Sequence, residues 1–228
     1  MSNLSFDQLI DLWNHDPIAF KETGKSYDLL QYFFSGASAE CLIPFLRSQE
    51  KAVRETAAWI ASELAYDACG LHEYLVNLIN DESSSVRYFV LEHIALCSQK
   101  NHCESIVHLI LALEDTEIIV RLQAMQLLPQ ISLKQIEGAN IELRNRSSAN
   151  VDTHRTGLYL MEHIDDIGRH TIREYLNDSK DGLRRRYGAI LARKAFARYP
   201  DILQEALAST DSEIASFAQS EKELLAID

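Results

Sequence analysis

Glycine and proline are scarce in this chain, with 8 and 4 residues respectively among 228. Few residues therefore interrupt helices, and this composition favours helices joined by short turns over a sheet. No apolar run is long enough to span a bilayer, and the first residues, MSNLSFDQLIDLW, lack the basic and apolar regions of a signal peptide. We expect a cytoplasmic protein with no membrane partner.

The sequence also lacks the short motifs that carry catalysis or bind cofactors. It contains no His-Glu-x-x-His, no Gly-x-Ser-x-Gly, no P-loop and no dinucleotide fingerprint. The adjacent carboxylates Asp165 and Asp166 would point apart on a helix, so they predict a capping turn before Gly168 rather than an acid–base pair. We therefore expect no enzymatic activity and no cofactor.

Cysteine is sparse as well, with four residues and no Cys-x-x-Cys pair. Scattered thiols in a chain of this length suggest a reducing compartment and do not suggest a disulfide framework. No Cys and His cluster with zinc-finger spacing is recognised, so the sequence predicts no metal site. The four cysteines are Cys41, Cys69, Cys97 and Cys103.

Acidic residues outnumber basic ones, which gives a formal net charge of −12. This charge makes nucleic acid an unlikely partner, because phosphates attract Lys and Arg, and it favours a protein with a basic surface. The charge is uneven, however. From Arg169 to Arg198 there are nine Lys or Arg and three Asp or Glu residues, a local charge of +6.

A pattern of two short amphipathic segments recurs along the chain. Its clearest copy begins near Tyr74, where Leu75 and Ile79 share one helical face, and Asp81 then opens a polar turn. Val86 starts the second segment, and equivalent aliphatic anchors recur at intervals of 31 to 34 residues. A helical hairpin of this kind buries its apolar faces only against further copies. The anchors are Val53, Val86, Val120, Val151, Leu183 and Ile214.

The pattern Leu-x-x-x-Leu, then Asp-x-x-x-x-Val-Arg, then a helix rich in Ala and Leu resembles HEAT repeats. The resemblance covers the chain from about Cys41 onward and implies an all-α fold, an α-α superhelix or solenoid of about six to seven hairpins. It also implies a structural ladder of turn aspartates and arginines between neighbouring hairpins. By resemblance, the ladder residues are Asp81, Arg87, Asp115, Arg121, Asp178 and Arg184.

The repeats predict one continuous domain over residues 1–228. Residues 1–40 form a degenerate N-terminal cap, residues 41–200 form the repeats, and residues 201–228 form a C-terminal cap repeat. The copy at Val151 is irregular, because a long polar loop from Arg144 to Asn150 precedes it and Asp152 stands in the arginine position. That irregularity indicates either drift or a functional break.

In stacked hairpins the second helices line a concave side. Positions two, six and ten after each anchor should project there, which predicts a partner-binding face of aromatic residues among carboxylates. Filling of gaps between repeats is the alternative role for Trp59 and Tyr88. The predicted partner-binding residues are Glu55, Trp59, Glu63, Tyr88, Glu92 and Gln126.

The basic cluster supports a second hypothesis. Some DNA glycosylases are helical-repeat proteins with a basic cleft, and Arg185, Arg186, Arg193 and Lys194 could form an anion patch. The acidic total and the lack of tryptophan in this region argue against such a repair enzyme. We expect a non-enzymatic protein-binding module. One form would be an immunity protein that neutralises a basic toxin such as a nuclease. The alternative is a scaffold or a bilin-lyase-like chaperone.

Overall fold

The computed structural model describes residues 4–98, 102–146 and 150–225 of the chain. These residues form only helices and turns, which confirms the all-α prediction. They divide into two compact units, residues 1–97 and residues 98–228. No helix among the described residues has the length and apolar character needed to cross a membrane. Positions 147–149 of the predicted polar loop lie outside the described residues.

The first unit contains seven α-helices and two 3-10 segments among its described residues. The 3-10 segments span Ala39–Leu42 and Ala65–Leu71. The α-helices are α1 (Phe6–His15), α2 (Pro17–Glu22), α3 (Lys25–Phe34), α4 (Ile43–Leu46), α5 (Lys51–Glu63), α6 (His72–Val76) and α7 (Ser84–Cys97).

Capping residues account for where the first helices begin. The Ser5 side chain accepts a hydrogen bond from the Gln8 backbone, and the Gln8 side chain accepts one from the Ser5 backbone, which closes a capping box. At α2 the Asp16 side chain accepts a hydrogen bond from the Ala19 backbone, and Pro17 occupies the first helical position. Trp13 of α1 is fully buried and stacks on Phe45, with ring centroids 3.9 Å apart. These contacts cover the apolar face of the hairpin that follows.

The second unit contains eight α-helices among its described residues. Two 3-10 segments, Ala112–Glu114 and Leu128–Gln130, flank α9. The α-helices are α8 (Cys103–Leu111), α9 (Ile118–Leu127), α10 (Leu133–Leu143), α11 (Val151–Glu162), α12 (Arg169–Leu176), α13 (Gly182–Lys194), α14 (Pro200–Leu207) and α15 (Ser212–Leu224).

The six predicted anchors each fall within the first three residues of a helix. Five of them are buried, whereas Val151 is only partly buried. The irregular copy also has a shifted register. The repeat has apolar residues eleven and seven positions before the anchor, and in this copy those positions are Asn140 and Arg144. Asn140 is partly buried and Arg144 is exposed, whereas the preceding residues Ala139 and Leu143 are buried. The buried stripe of α10 therefore lies one residue earlier than the repeat spacing predicts.

Helix packing in the second unit is not purely successive. Helix α11 packs against α13 and α13 against α15, as a stack of hairpins requires. Helix α9, however, also packs against α13 and α15, which lie two and three hairpins further along the chain. Within this unit the last hairpin thus packs back onto α9, which a simple solenoid does not do.

Two helices of this unit approach so closely that only glycine fits at the contact. A Cβ atom at Gly188 of α13 would lie 2.3 Å from the backbone nitrogen of Leu176 and 2.7 Å from the Tyr175 carbonyl carbon. Backbone atoms cannot move aside as the end of a flexible side chain can. The pairing of α12 with α13 therefore depends on the missing side chain at this position.

Gly188→Ala should destabilise the protein by about 2 kcal/mol, although alanine is the better helix former by about 1 kcal/mol. Gly182→Ala is the matched control in the same helix, because its Cβ would meet only arginine side-chain ends at 3.6 Å or more. Denaturant unfolding of the two variants measures both free energies. A Gly188→Ala protein as stable as the control would show that α12 and α13 are not in backbone contact.

Candidate functional site

The surface of the first unit carries an open cleft of about 340 Å³ beside α5 and α7. Helix α5 buries Val53, Ala57 and Ile60 on one side, and its alanines let it pack closely along α7. The residues two, six and ten positions after its anchor lie on a less buried side. We call this feature the Trp59 cleft, and its lining consists of Lys21, Ser26, Tyr27, Glu55, Thr56, Trp59, Ser85 and Phe89.

Aromatic rings form the apolar part of the Trp59 cleft. Trp59 is partly buried and meets the ring of Tyr27 edge-on, with centroids 4.9 Å apart. Tyr27 itself is 63% exposed, although large apolar rings are usually more covered. Phe89 of α7 completes the lining. Tyr27 and Phe89 were not among the predicted residues, because Tyr27 belongs to the N-terminal segment and Phe89 lies one position beyond the predicted stripe.

Glu55 is already engaged inside the cleft. Its carboxylate accepts a hydrogen bond of 2.6 Å from the Ser83 hydroxyl and one of 3.2 Å from the Lys21 ammonium group. Burial alone would raise the pKa of Glu55, but the bonds from Ser83 and Lys21 outweigh it, and the pKa is lowered. Glu55 is therefore a fixed anion that ties Lys21 and Ser83 to α5.

Two further carboxylates continue from Trp59 along the same face. Glu63 accepts a hydrogen bond of 3.0 Å from the indole nitrogen of Trp59. Burial of Glu92 raises its pKa, the negative charge of Glu63 raises it further, and a hydrogen bond from Ser62 opposes the change. Within the described parts of the chain, neither Glu63 nor Glu92 forms a salt bridge. The pair thus presents negative charge that no internal cation neutralises.

The remaining predicted face residues are divided between the units. Tyr88 of α7 is partly buried, and burial together with the charge of Glu92 raises its pKa. Gln126 belongs to α9 of the second unit, where its backbone carbonyl accepts a hydrogen bond from the Gln130 side chain. The structure therefore brings five of the six predicted residues to α5 and α7 of the first unit.

The predicted ladder residues form hydrogen bonds at the starts of the second helices. In the first unit, Arg54 binds the Asp81 carboxylate at 2.6 and 3.2 Å, and Arg87 donates to the Asp81 carbonyl at 2.7 Å. Arg54 was not among the predicted ladder residues. It joins α5 to the turn of the following hairpin.

The second unit has a different set of contacts at its predicted ladder positions. Arg121 donates to the Asp115 carbonyl at 2.8 Å and also binds Glu213 of α15. Arg184 binds Asp178 of its own hairpin at 2.9 Å, whereas Arg185, one residue later, reaches Asp211 of the next hairpin at 2.8 Å. The inter-hairpin contact here therefore involves Arg185.

The predicted anion patch consists of cations that are already bound to acceptors of the same unit. Arg185 pairs with Asp211, Arg186 with Glu213 at 2.7 Å, and Arg193 with Glu221 at 2.5 Å. Lys194 donates to the Pro129 carbonyl, and its pKa is lowered by burial and by the charge of Arg193. A phosphate would have to displace these acceptors, so this geometry does not favour a nucleic-acid interface.

A buried relay of hydrogen bonds lies elsewhere in the second unit. His154 is fully buried, with one ring nitrogen 2.8 Å from the Glu114 carboxylate and the other 2.9 Å from the Tyr187 hydroxyl. Burial lowers the pKa of His154, although Glu114 acts to raise it, and burial raises the pKa of Tyr187 well above its usual value. His154 and Tyr187 are sealed from solvent, so the relay satisfies buried polar atoms and joins α11 to α13.

Two of the four cysteines form a disulfide, which corrects the expectation of four separate thiols. Cys69 and Cys97 are bonded to each other, while Cys41 and Cys103 lie outside this disulfide. Disulfides persist mainly in oxidising compartments, so this bond weighs against the predicted cytoplasmic location. Among the described residues, no group of three or more His, Cys, Asp or Glu side chains is arranged to hold a metal ion.

No protein family and no curated relative matches the chain. Among solved structures, it is similar to an engineered protein of the Northeast Structural Genomics Consortium, with 20% identity and a TM-score of 0.43. The match covers 82% of this chain and 96% of the engineered one. A similarity of this strength assigns neither a family nor a function, so the functional conclusion has to come from the residues themselves.

Glu213 gives the clearest test of the ion pairs that join helices within the second unit. It is buried between Arg121 and Arg186, and although burial alone would raise its pKa, the two guanidinium groups lower it. We expect Glu213→Gln to cost roughly 2 kcal/mol of unfolding free energy at pH 7. Glu223→Gln, which changes an exposed residue of the same helix, should have little effect.

The pH dependence of this stability difference follows from the lowered pKa of Glu213. A carboxylate with a lowered folded pKa contributes stability that is fully present above its unfolded pKa of about 4.3 and is lost as pH falls through the folded value. The difference between wild type and Glu213→Gln in urea unfolding should therefore shrink in acid. An equal difference at pH 7 and pH 3 would contradict the assignment.

Proposed function

We propose that this chain is a non-enzymatic protein-binding module that uses the Trp59 cleft and the adjacent Glu63 and Glu92 carboxylates as its docking site. The observation that carries the proposal is the combination of a partly buried tryptophan with two neighbouring carboxylates that form no salt bridge with any described residue. Its scaffold is a series of helical hairpins related to HEAT repeats, with the last hairpin of the second unit returned onto α9. Nothing in this role requires a cofactor.

The chemistry of the cleft defines its partner. A cationic side chain placed over the Trp59 ring would gain a cation–π contact and would neutralise Glu63 and Glu92. Arginine fits this position best, because its planar fork stacks on an aromatic face while its N–H groups reach carboxylates. Tyr27 and Phe89 offer apolar surface to the residues beside that arginine. The expected partner is therefore a protein with a basic segment that also carries an apolar residue.

The acidic total supports the same partner. A net charge of −12 accelerates encounter with a basic protein and makes the association sensitive to salt. A stoichiometric inhibitor or immunity protein that covers a basic toxin, such as a nuclease, has this profile. A scaffold or chaperone role would use the same surface and is distinguished by whether the partner loses activity when bound.

Tryptophan fluorescence provides a direct test, because Trp13 is fully buried and Trp59 is at the cleft. We expect an arginine–leucine peptide to shift the Trp59 emission, and a peptide of equal length with glutamate in place of arginine to leave it unchanged. Raising the salt concentration should weaken the binding, because the partner charge is opposite to that of the cleft.

Substitutions of the two carboxylates and of Trp59 test which side chains contribute to the affinity for the arginine peptide. Glu63→Gln with Glu92→Gln should weaken binding of the arginine peptide by about tenfold or more, whereas Glu40→Gln, an exposed carboxylate remote in sequence from the cleft, should not. Trp59→Phe should abolish the fluorescence change. Equal affinity for both peptides, or no effect of the double substitution, would reject the Trp59 cleft as the docking site.

A further inference from the structure

A covalent cross-link closes the first unit beside the two carboxylates of the proposed docking site. The 3-10 segment Ala65–Leu71 follows α5 with one residue between them, and Cys69 within it is bonded to Cys97, the last residue of α7. Helix α5 packs along α7, and the 3-10 segment contacts both helices. The disulfide therefore ties the C-terminal end of α5 to the C-terminal end of α7.

Glu63 and Glu92 lie at that same end of the two helices. Glu63 is the last residue of α5, and Glu92 precedes Cys97 by five residues, about 7.5 Å along the axis of α7. The charge of Glu63 acts on Glu92, and Ser62 of α5 is hydrogen-bonded to it, so the two carboxylates lie close together across the helix pair. Like charges at this distance push the helix ends apart, and the disulfide opposes that separation.

The backbone between α5 and the disulfide has an unfavourable conformation. Ala65 has a φ of 49°, in the left-handed region that residues with a side chain rarely adopt. Its carbonyl oxygen lies 3.8 Å from the Cys97 sulfur. Such a conformation persists only where the surrounding structure holds it, and here the cross-link holds the segment that Ala65 begins. Opening of this corner would relieve both the backbone strain and the repulsion between the carboxylates.

A reductant can reach the disulfide from one side. Cys97 is 6% exposed, but Cys69 is only partly buried, and Tyr66 and Gly70 of the same segment are exposed. A thiolate of a dithiol can therefore attack the Cys69 sulfur, and Cys97 leaves as a thiolate that takes up a proton. The second thiol of the reductant then displaces Cys69. Two electrons and two protons thus pass to the cysteines, and the dithiol is oxidised to a disulfide.

We propose that the disulfide between Cys69 and Cys97 is a redox switch that sets the affinity of the Trp59 cleft for its basic partner. This inference rests on the proposed function, because it assigns regulation to the same site. In the oxidised protein the cross-link holds Glu63 and Glu92 together, and their repulsion favours the arrival of a cation. After reduction the C-terminal ends of α5 and α7 separate, water solvates each carboxylate, and binding a cation relieves less repulsion.

The affinities of the two redox forms for the arginine–leucine peptide test the switch. Cys41→Ser with Cys103→Ala leaves Cys69 and Cys97 as the two remaining cysteines, which excludes exchange with a third. In fluorescence titrations, the oxidised protein should bind the peptide about fivefold or more tightly than the same protein in excess dithiol. Equal affinities of the two forms, with the peptide bound by both, would overturn the switch while retaining the docking site.

The matched control removes the cross-link without a reductant. Cys69→Ser with Cys97→Ser, in the same background, should bind the peptide as weakly as the reduced protein and should not respond to dithiol. A double-serine variant that keeps its helices and binds as tightly as the oxidised protein would contradict the switch, because the cross-link would then have no influence on the cleft.

Titration of Glu92 followed by NMR gives a readout that needs no peptide. Burial and the charge of Glu63 raise the pKa of Glu92 in the disulfide form, and both effects should weaken on reduction, so this pKa should fall toward its ordinary value. A fall without peptide binding in either form would reject the docking site, and with it the control of affinity, but would retain the redox-dependent opening. An unchanged pKa would show that reduction does not open this corner. Loss of most of the helical circular dichroism on reduction would also overturn the switch, because the disulfide would then hold the whole unit together.

Discussion

Burial of a narrow apolar stripe against the next helix is the constraint on which the rest of this structure depends. The helices are short, with the longest, α7, containing 14 residues, and short helices have little stability of their own in water. Five of the six second helices therefore begin with an aliphatic anchor that is buried by its neighbours, and Val151 is partly buried. Because the buried stripe of α5 holds Ala57, Ala58 and Ala61, that helix lies close against α7. This close packing turns Trp59 and Glu63 toward the surface and creates the site.

Internal ion pairs give the second unit its own cross-links. Glu213 of α15 binds Arg121 of α9 and Arg186 of α13, so one carboxylate joins three helices. Glu221 further along α15 binds Arg193. A buried carboxylate is stable only when its charge is compensated, and here the compensation is provided by the predicted ladder residue Arg121 and by two arginines of the predicted anion patch. A local excess of positive charge in the sequence is thus used to accommodate an acidic helix within the unit.

The sequence predicted those features that depend on local periodicity. The six anchors lie at the starts of helices because an aliphatic residue recurs there after a polar turn. The register of α10 differs from the repeat spacing because Asn140 and Arg144 are polar, and the preceding apolar residues, Ala139 and Leu143, are buried instead. Tyr27 and the disulfide were missed because both depend on contacts between segments that are distant in the sequence.

The distribution of charge links the fold to the proposed function. The arginines described above are largely consumed by internal carboxylates, which join neighbouring helices within each unit. The excess of acidic residues is therefore left for the surface, where Glu63 and Glu92 form no salt bridge within the part of the chain that the structure describes. Two carboxylates close enough to raise the pKa of one of them oppose each other, and that repulsion is relieved when a cation arrives. A folded state that keeps such a pair next to a tryptophan retains electrostatic energy that is released when a basic partner binds. This release of repulsion is the physical reason why the cleft selects a basic partner over a neutral or acidic one.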